Sequence, residues 1–218
     1  MIIKRIKLEN YTVFEDHQIE FDPGINIFIG ENGTGKTHLF KVLYSACQCV
    51  DQRVSFSHKL VSTMLPDDYK ISRLITRKQG NRSALIRIFA GERDVTQERV
   101  LSASFHGKTK KWDAEVTGEK GWDEPESNIN PSYISIIVEL LLELQRKGVQ
   151  VFISTHDYMI ASYFEVRKAK NDSIAFHSLS HVGKTCDLIY EKKEKFADLK
   201  NNAIVSAFDK LLDEIYDL

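Results

Sequence analysis

The chain has 218 residues, 42% hydrophobic and 28% charged, enough to bury one substantial core or one core with a small subdomain. Thirty basic residues against thirty-one acidic ones leave a formal net charge of −1, so no global excess of positive charge marks a polyanion binder, and contact with nucleic acid has to be argued locally. The cysteines Cys47, Cys49 and Cys186 form no CxxC pair or zinc-like set and read as reduced thiols of a cytoplasmic protein, while no apolar run reaches the roughly 20 residues that span a bilayer and the start MIIKRIKLEN lacks the apolar stretch of a signal peptide.

Ile2, Ile3, Ile6 and Leu8 among lysines and an arginine predict a first strand, and His17 to Phe21 a second, leading through the turn Asp22-Pro23-Gly24. Ile25 to Ile29 is a short apolar run rich in β-branched residues, expected as a buried strand that feeds directly into a glycine-rich loop. From Thr37 to about Val50, Leu39, Phe40, Leu43, Ala46 and Cys47 recur at helical spacing. Residues 51 to 80 carry no clean period and are expected as a connector with one short helix. Ser83 to Phe89, Val100 to His106 and Trp112 to Val116 alternate polar and apolar residues, which predicts an antiparallel meander spanning about 83–117. Pro131 to Lys147 is expected as a helix whose apolar stripe packs on a sheet, with Gly148 as its stop. A buried strand at Val149 to Ser154, a helix near Tyr158 to Phe164, short strands near 174–190 and a terminal helix from about Asn202 complete the chain.

Gly30-Glu31-Asn32-Gly33-Thr34-Gly35-Lys36-Thr37 fits G-x-x-x-x-G-K-[ST] in full, with a strand before it and a helix after it. The glycines permit positive φ and close backbone approach, so successive N–H groups can face phosphates while the helix N-terminus adds partial positive charge. In such a loop Lys36 meets the β and γ phosphates and the Thr37 hydroxyl becomes a Mg²⁺ ligand. Asp123-Glu124-Pro125-Glu126 is the second constellation: beside a phosphate loop, Asp123 is expected to hold Mg²⁺ through water and Glu124 to polarise the attacking water. Taken alone, an acidic turn with proline is more often plain surface. Ser154-Thr155-His156-Asp157 closes the run VFIS, and a histidine at the C-terminal end of a parallel strand lies where ligands bind in such sheets.

The order Asn10-Tyr11 through Phe14, GENGTGKT, DEPESNINP and FISTHD resembles the SMC/RecF/OLD-like branch of ABC ATPases, particularly small AAA-type members with a DEPE motif such as those of bacterial anti-phage defence. The resemblance runs from residue 1 to about 190, and the tail Asn202 to Leu218 is similar to tails of such ATPases. It implies an α/β fold, a P-loop NTPase of ABC-ATPase type with a mixed sheet flanked by helices plus an antiparallel β meander, in a single head spanning 1–218. It further implies ATP as the nucleotide, a Walker A motif at 30–37, a Walker B motif ending at Asp123, a catalytic Glu124, a D-loop at Ser127 to Pro131 and a switch His156.

One departure stands out. The family carries an apolar strand before the Walker B aspartate, whereas Thr117-Gly118-Glu119-Lys120-Gly121-Trp122 cannot form one, and no LSGG-like signature stands in the sequence. The signature region is expected to be missing near 121–123, either through deletion or because residues of a longer protein are left out. The resemblance implies an ATP-hydrolysing switch in a head-to-head homodimer that controls an effector nuclease or toxin subunit. Two alternatives remain open: a RecF-like DNA-binding repair ATPase, with Lys4, Arg5, Lys7, Lys108, Lys110 and Lys111 as phosphate contacts, and an ATP-binding scaffold that does not hydrolyse. Trp112 and Trp122 are expected to pack rather than stack on bases, and Cys47 and Cys49 to serve as core.

Overall fold

The computed structural model describes residues 2–49, 55–77, 83–93, 96–108, 115–117, 134–181, 187–200 and 202–216. Asp123, Glu124, the segment 127–131, Lys110, Lys111, Trp112, Trp122 and Cys186 lie outside these residues. In chain order the elements are β1 (Ile2–Tyr11), β2 (Phe14–Glu20), β3 (Ile25–Gly30), α1 (Lys36–Gln48), α2 (Phe56–Met64), β4 (Ser83–Gly91), β5 (Arg99–His106), β6 (Glu115–Thr117), α3 (Ile134–Arg146), β7 (Val151–Ser154), α4 (Tyr158–Arg167), β8 (Ile174–His181), β9 (Leu188–Lys193) and α5 (Ala203–Tyr216). They fall into two compact units, Met1–Phe21 with Thr37–Asp123, and Asp22–Lys36 with Glu124–Leu218.

The first unit is built on a five-stranded antiparallel sheet in the order β2-β1-β4-β5-β6. Here the structure goes beyond the expected meander, because the β1–β2 hairpin joins it through β1 and β4, with Leu8 opposite Ile86 and Ile6 opposite Ile88. Periodicity assigns faces within a strand but carries no information on which distant strand becomes the neighbour. A register shift between Ile3 and Arg5 puts Ile3 and Ile6 on the same buried side although they are three residues apart. In β5, Leu101, Ala103 and Phe105 are buried, as their alternation with Ser102 and Ser104 requires. Among its described residues the connector holds one helix, α2, and two short 3₁₀ turns at Asp67–Tyr69 and Ile71–Leu74. In α1, Leu39, Phe40, Val42, Leu43, Ala46 and Cys47 are buried, and Cys49 just past the helix joins them, its Sγ donating to the Ser45 carbonyl at 2.9 Å.

The second unit is a four-stranded sheet in the order β7-β3-β8-β9, with β7 and β8 parallel to β3 and β9 antiparallel to β8. One face of β3 and its neighbours, Ile25, Ile27, Ile29, Ile153 and Phe176, packs on Ile134, Val138 and Leu142 of α3 and on Ala161 and Phe164 of α4. The turn into β3 leaves no room for a side chain at Gly24, where a Cβ would stand 2.1 Å from the Ser173 carbonyl oxygen. Gly148 ends the α3 region at φ +87°, as predicted.

The opposite face of β3 holds polar groups. Asn26 and His177 are fully buried. The Asp22 N–H donates to Asn26 Oδ1 at 2.7 Å, and Asn26 Nδ2 donates to the Asp22 carbonyl at 2.9 Å. That carboxamide oxygen can only accept, so His177 Nε2, 3.0 Å away, donates to it, and His177 Nδ1 accepts from the Tyr190 hydroxyl at 2.9 Å. Burial, helped by Lys192, pushes the imidazole pKa down to about 3. The unfolded chain takes up this proton below about pH 6.5 and the native protein does not until about pH 3. The stability contributed by neutral His177 is therefore complete above pH 6.5 and is lost as pH falls through that window. Denaturant melts between pH 6.5 and 4 should show wild type losing about 1.4 kcal/mol per pH unit more than His177→Phe; parallel profiles would refute the assignment.

Candidate nucleotide site

The strand β3 ends in the loop that carries the phosphate-binding pattern. Gly30 leaves the strand at φ +156°, where a Cβ would lie 2.0 Å from the Leu179 carbonyl oxygen of β8. Gly33 and Gly35 follow at φ +84° and +90°, conformations that side-chain-bearing residues reach only with strain. Glu31, Asn32 and Gly33 are exposed, Thr34, Gly35 and Lys36 are buried, and Thr37 is exposed again in the first turn of α1. Thr34 Oγ1 donates to the Glu31 carbonyl at 2.8 Å and closes the loop on itself.

Lys36 is only 6% exposed, and its ammonium is turned into the loop. Nζ donates to the carbonyls of Gly30 at 2.7 Å and Glu31 at 2.8 Å, with Thr34 Oγ1 at 3.4 Å. Burial pushes its pKa down to about 8, against the opposing pull of the Glu31 charge. Among the described residues the acceptors at its ammonium are neutral, and such a cation gains from an incoming anion, the electrostatic condition for gripping phosphate oxygens.

His156 follows β7. The Thr155 N–H donates to the Phe28 carbonyl at 3.0 Å, which ties the residue before the histidine to the strand before the loop. The Asp157 N–H donates to Thr155 Oγ1 at 3.0 Å, and Asp157 Oδ1 accepts from the Met159 N–H at 2.7 Å, capping α4. His156 is exposed, and its affinity for a proton is lowered first by partial burial and then by the charge of Lys36. The structure thus brings Lys36 and His156 to the carboxyl end of adjacent parallel strands, the position where ligands bind in such sheets. Asp157→Ala should cost about 1 kcal/mol and lower Tm by a few degrees, read by thermal melting. An unchanged Tm would deny the cap its role.

The loop geometry suits a nucleotide triphosphate. Thr37, the expected Mg²⁺ ligand, presents an exposed side chain directly after the buried lysine, which fits a cation completed by phosphate oxygens and water. Among the described residues no group of three or more His, Cys, Asp or Glu side chains could hold a metal by itself. Two cations of β1 are paired with carboxylates: Arg5 meets Glu98 at 2.7 Å and lies 3.8 Å over the Phe89 ring, and Lys7 meets Glu9 at 2.8 Å and Asp16 at 3.5 Å. Asn26 and His177 escaped the sequence reading, although an asparagine inside the otherwise apolar Ile25–Gly30 strand was a visible signal. Among the described residues no helix is long and apolar enough to cross a membrane.

The AAA domain family matches residues 5–217. The DNA replication and repair protein RecF of Streptococcus agalactiae is 34% identical over 88 residues, 40% of this chain and 24% of that protein. RecF of Clostridium kluyveri is 35% identical over 89 residues, 41% of this chain and 24% of that protein. The match therefore spans about a quarter of the length of these relatives. The SMC head domain from Thermotoga maritima superimposes with a TM-score of 0.56 at 10% identity, covering 89% of this chain and all of that one. An SMC head bound to the C-winged helix domain of ScpA does so with 0.57 at 9% identity, covering 88% and 98%. At such identities the two structures speak for the fold alone.

Proposed function

The chain belongs to the AAA domain family, among its SMC/RecF-like ABC ATPases, and from that premise we propose that it binds ATP with Mg²⁺ at Gly30–Thr37 and hydrolyses it as a nucleotide-driven switch. The observation that carries this reading is the Lys36 ammonium, buried among the loop's own carbonyls with the exposed His156 in its field. Gly30, Glu31, Asn32, Gly33, Thr34 and Gly35 wrap the phosphates with their backbone, and Lys36 exchanges its carbonyl acceptors for β and γ oxygens. Thr37 directly and Asp123 through water would hold the Mg²⁺, which would neutralise charge on the phosphates when bound. Glu124 orients and deprotonates the attacking water, and His156 contacts the γ-phosphate or that water. One head spanning 1–218 then pairs with a second copy, and opening or closing of the pair passes to an effector nuclease or toxin subunit, as in anti-phage defence in the cytoplasm.

The RecF similarity favours a second reading, a DNA-dependent repair ATPase. Against it, Arg5 and Lys7 already satisfy local carboxylates. Titration of purified protein with a fluorescent ATP analogue, with and without Mg²⁺, and phosphate release with and without duplex DNA, test both. We expect Mg²⁺-dependent binding and turnover that DNA leaves unchanged. DNA stimulation that fades steeply with salt selects the repair reading, binding without turnover selects a non-hydrolysing scaffold, and absence of ATP binding by folded protein overturns the proposal.

A further inference from the structure

We infer that His177 is a positioning residue of the nucleotide site, holding β3 so that the loop from Gly30 and the turn before His156 keep one alignment; this rests on the ATP-binding reading above. His177 lies on β8, one strand away from the loop, and touches β3 at two places. Its Nε2–H reaches Asn26 Oδ1 at 3.0 Å, and its ring stacks on Phe28 with centroids 4.3 Å apart and planes 8° apart. Each contact bears on the phosphate loop at the end of β3. Asn26 fixes the entry of β3 through its two bonds to the Asp22 backbone. Phe28 stands two residues before Gly30, and its carbonyl accepts the Thr155 N–H at 3.0 Å. A displacement of the Phe28 peptide therefore moves the mouth of the loop and the His156 turn together.

Asn26 decides the tautomer. Its Oδ1 can only accept, so Nε2 carries the proton, and Nδ1 is left to accept from the Tyr190 hydroxyl at 2.9 Å, whose ring lies 5.9 Å away and inclined by 20°. The network is buried at Asn26 and His177 and half-buried at Tyr190, and it crosses from β9 through β8 to β3, a path an apolar residue could pack but could not hold in register.

The test compares wild type with His177→Phe, which keeps the stack and loses both polar ends, and with the milder Tyr190→Phe. A third variant, Phe164→Leu in α4, lowers stability within the same unit without touching the network. Hydrogen exchange of the peptide covering residues 25–36 in nucleotide-free protein is read first. It should accelerate on the order of tenfold in His177→Phe and about threefold in Tyr190→Phe, and stay unchanged in Phe164→Leu at equal loss of Tm. ATP affinity, measured well below the melting range, should fall in the same order. If exchange and affinity in the network variants change no more than they do in Phe164→Leu at equal loss of Tm, His177 is merely structural and the inference is overturned. Because exchange is read without nucleotide, failure of wild type to bind ATP would sink the functional reading and leave this test standing.

Discussion

Lys36→Ala should weaken ATP binding by at least about a hundredfold while the protein still unfolds in one cooperative transition. Charge-assisted hydrogen bonds to phosphate are worth about 1.5–3 kcal/mol each, and losing two of them is on the order of 10² to 10⁴ in affinity. The fold should survive because, among the described residues, the ammonium is held by the carbonyls of Gly30 and Glu31 and the Thr34 hydroxyl, and its removal also removes a charge that burial penalises. Lys36→Arg separates charge from shape: a guanidinium too large for the pocket between those carbonyls should recover little of the affinity. Titration calorimetry against ATP with Mg²⁺, paired with a thermal melt, makes the measurement. Wild-type affinity in a folded Lys36→Ala protein would remove the phosphate loop as the binding site.

Gly30→Ala carries the largest expected cost in stability. The Cβ it adds would lie 2.0 Å from the Leu179 carbonyl oxygen and 3.3 Å from Thr34 Oγ1. The first of these is backbone in the parallel β3–β8 pair, where Gly30 stands opposite Leu179, so nothing flexible can yield. Relief requires β3 and β8 to part at the very end that presents the loop, and the expected loss is on the order of the total stability of a marginal domain, about 5 kcal/mol or more. The variant should accumulate as insoluble protein or melt more than about 10 °C below wild type. Gly33→Ala is the internal comparison, since its Cβ would meet nothing within 4 Å and only the φ of +84° is unfavourable. Its cost should be about 1–2 kcal/mol. If Gly30→Ala melts no lower than Gly33→Ala, the close approach of β8 is wrong.

Much of this molecule was legible in its residues. The strand at Ile25–Gly30, the helix from Lys36, the helix from Ile134 and the strand at Val151–Ser154 were all predicted within a few residues, because each carries its own hydrophobic period and its own glycine punctuation. The pattern of the proposed phosphate loop was visible for a related reason, since it occupies eight consecutive residues and the elements that flank them. The proposed nucleotide-site residues Gly30–Thr37 and His156 fall among the described residues and Asp123 and Glu124 do not; the roles of all of them are proposals. The meander was anticipated as three strands, yet its union with the first hairpin was not, because β1 and β4 are some eighty residues apart and their pairing leaves no local mark.

Sequence alone thus determined the local chemistry: a loop whose glycines can turn, a lysine and a threonine spaced for phosphate and cation, and a histidine at a strand end. The tertiary structure decided what those groups meet. Parallel pairing of β3 with β7 and β8 puts Lys36 in reach of His156's field and closes the Leu179 carbonyl over Gly30. The same pairing joins Asn26 to His177 across 151 residues. Such contacts arise from strand order and register, which depend on the packing of whole faces against one another, and no short window of residues encodes that.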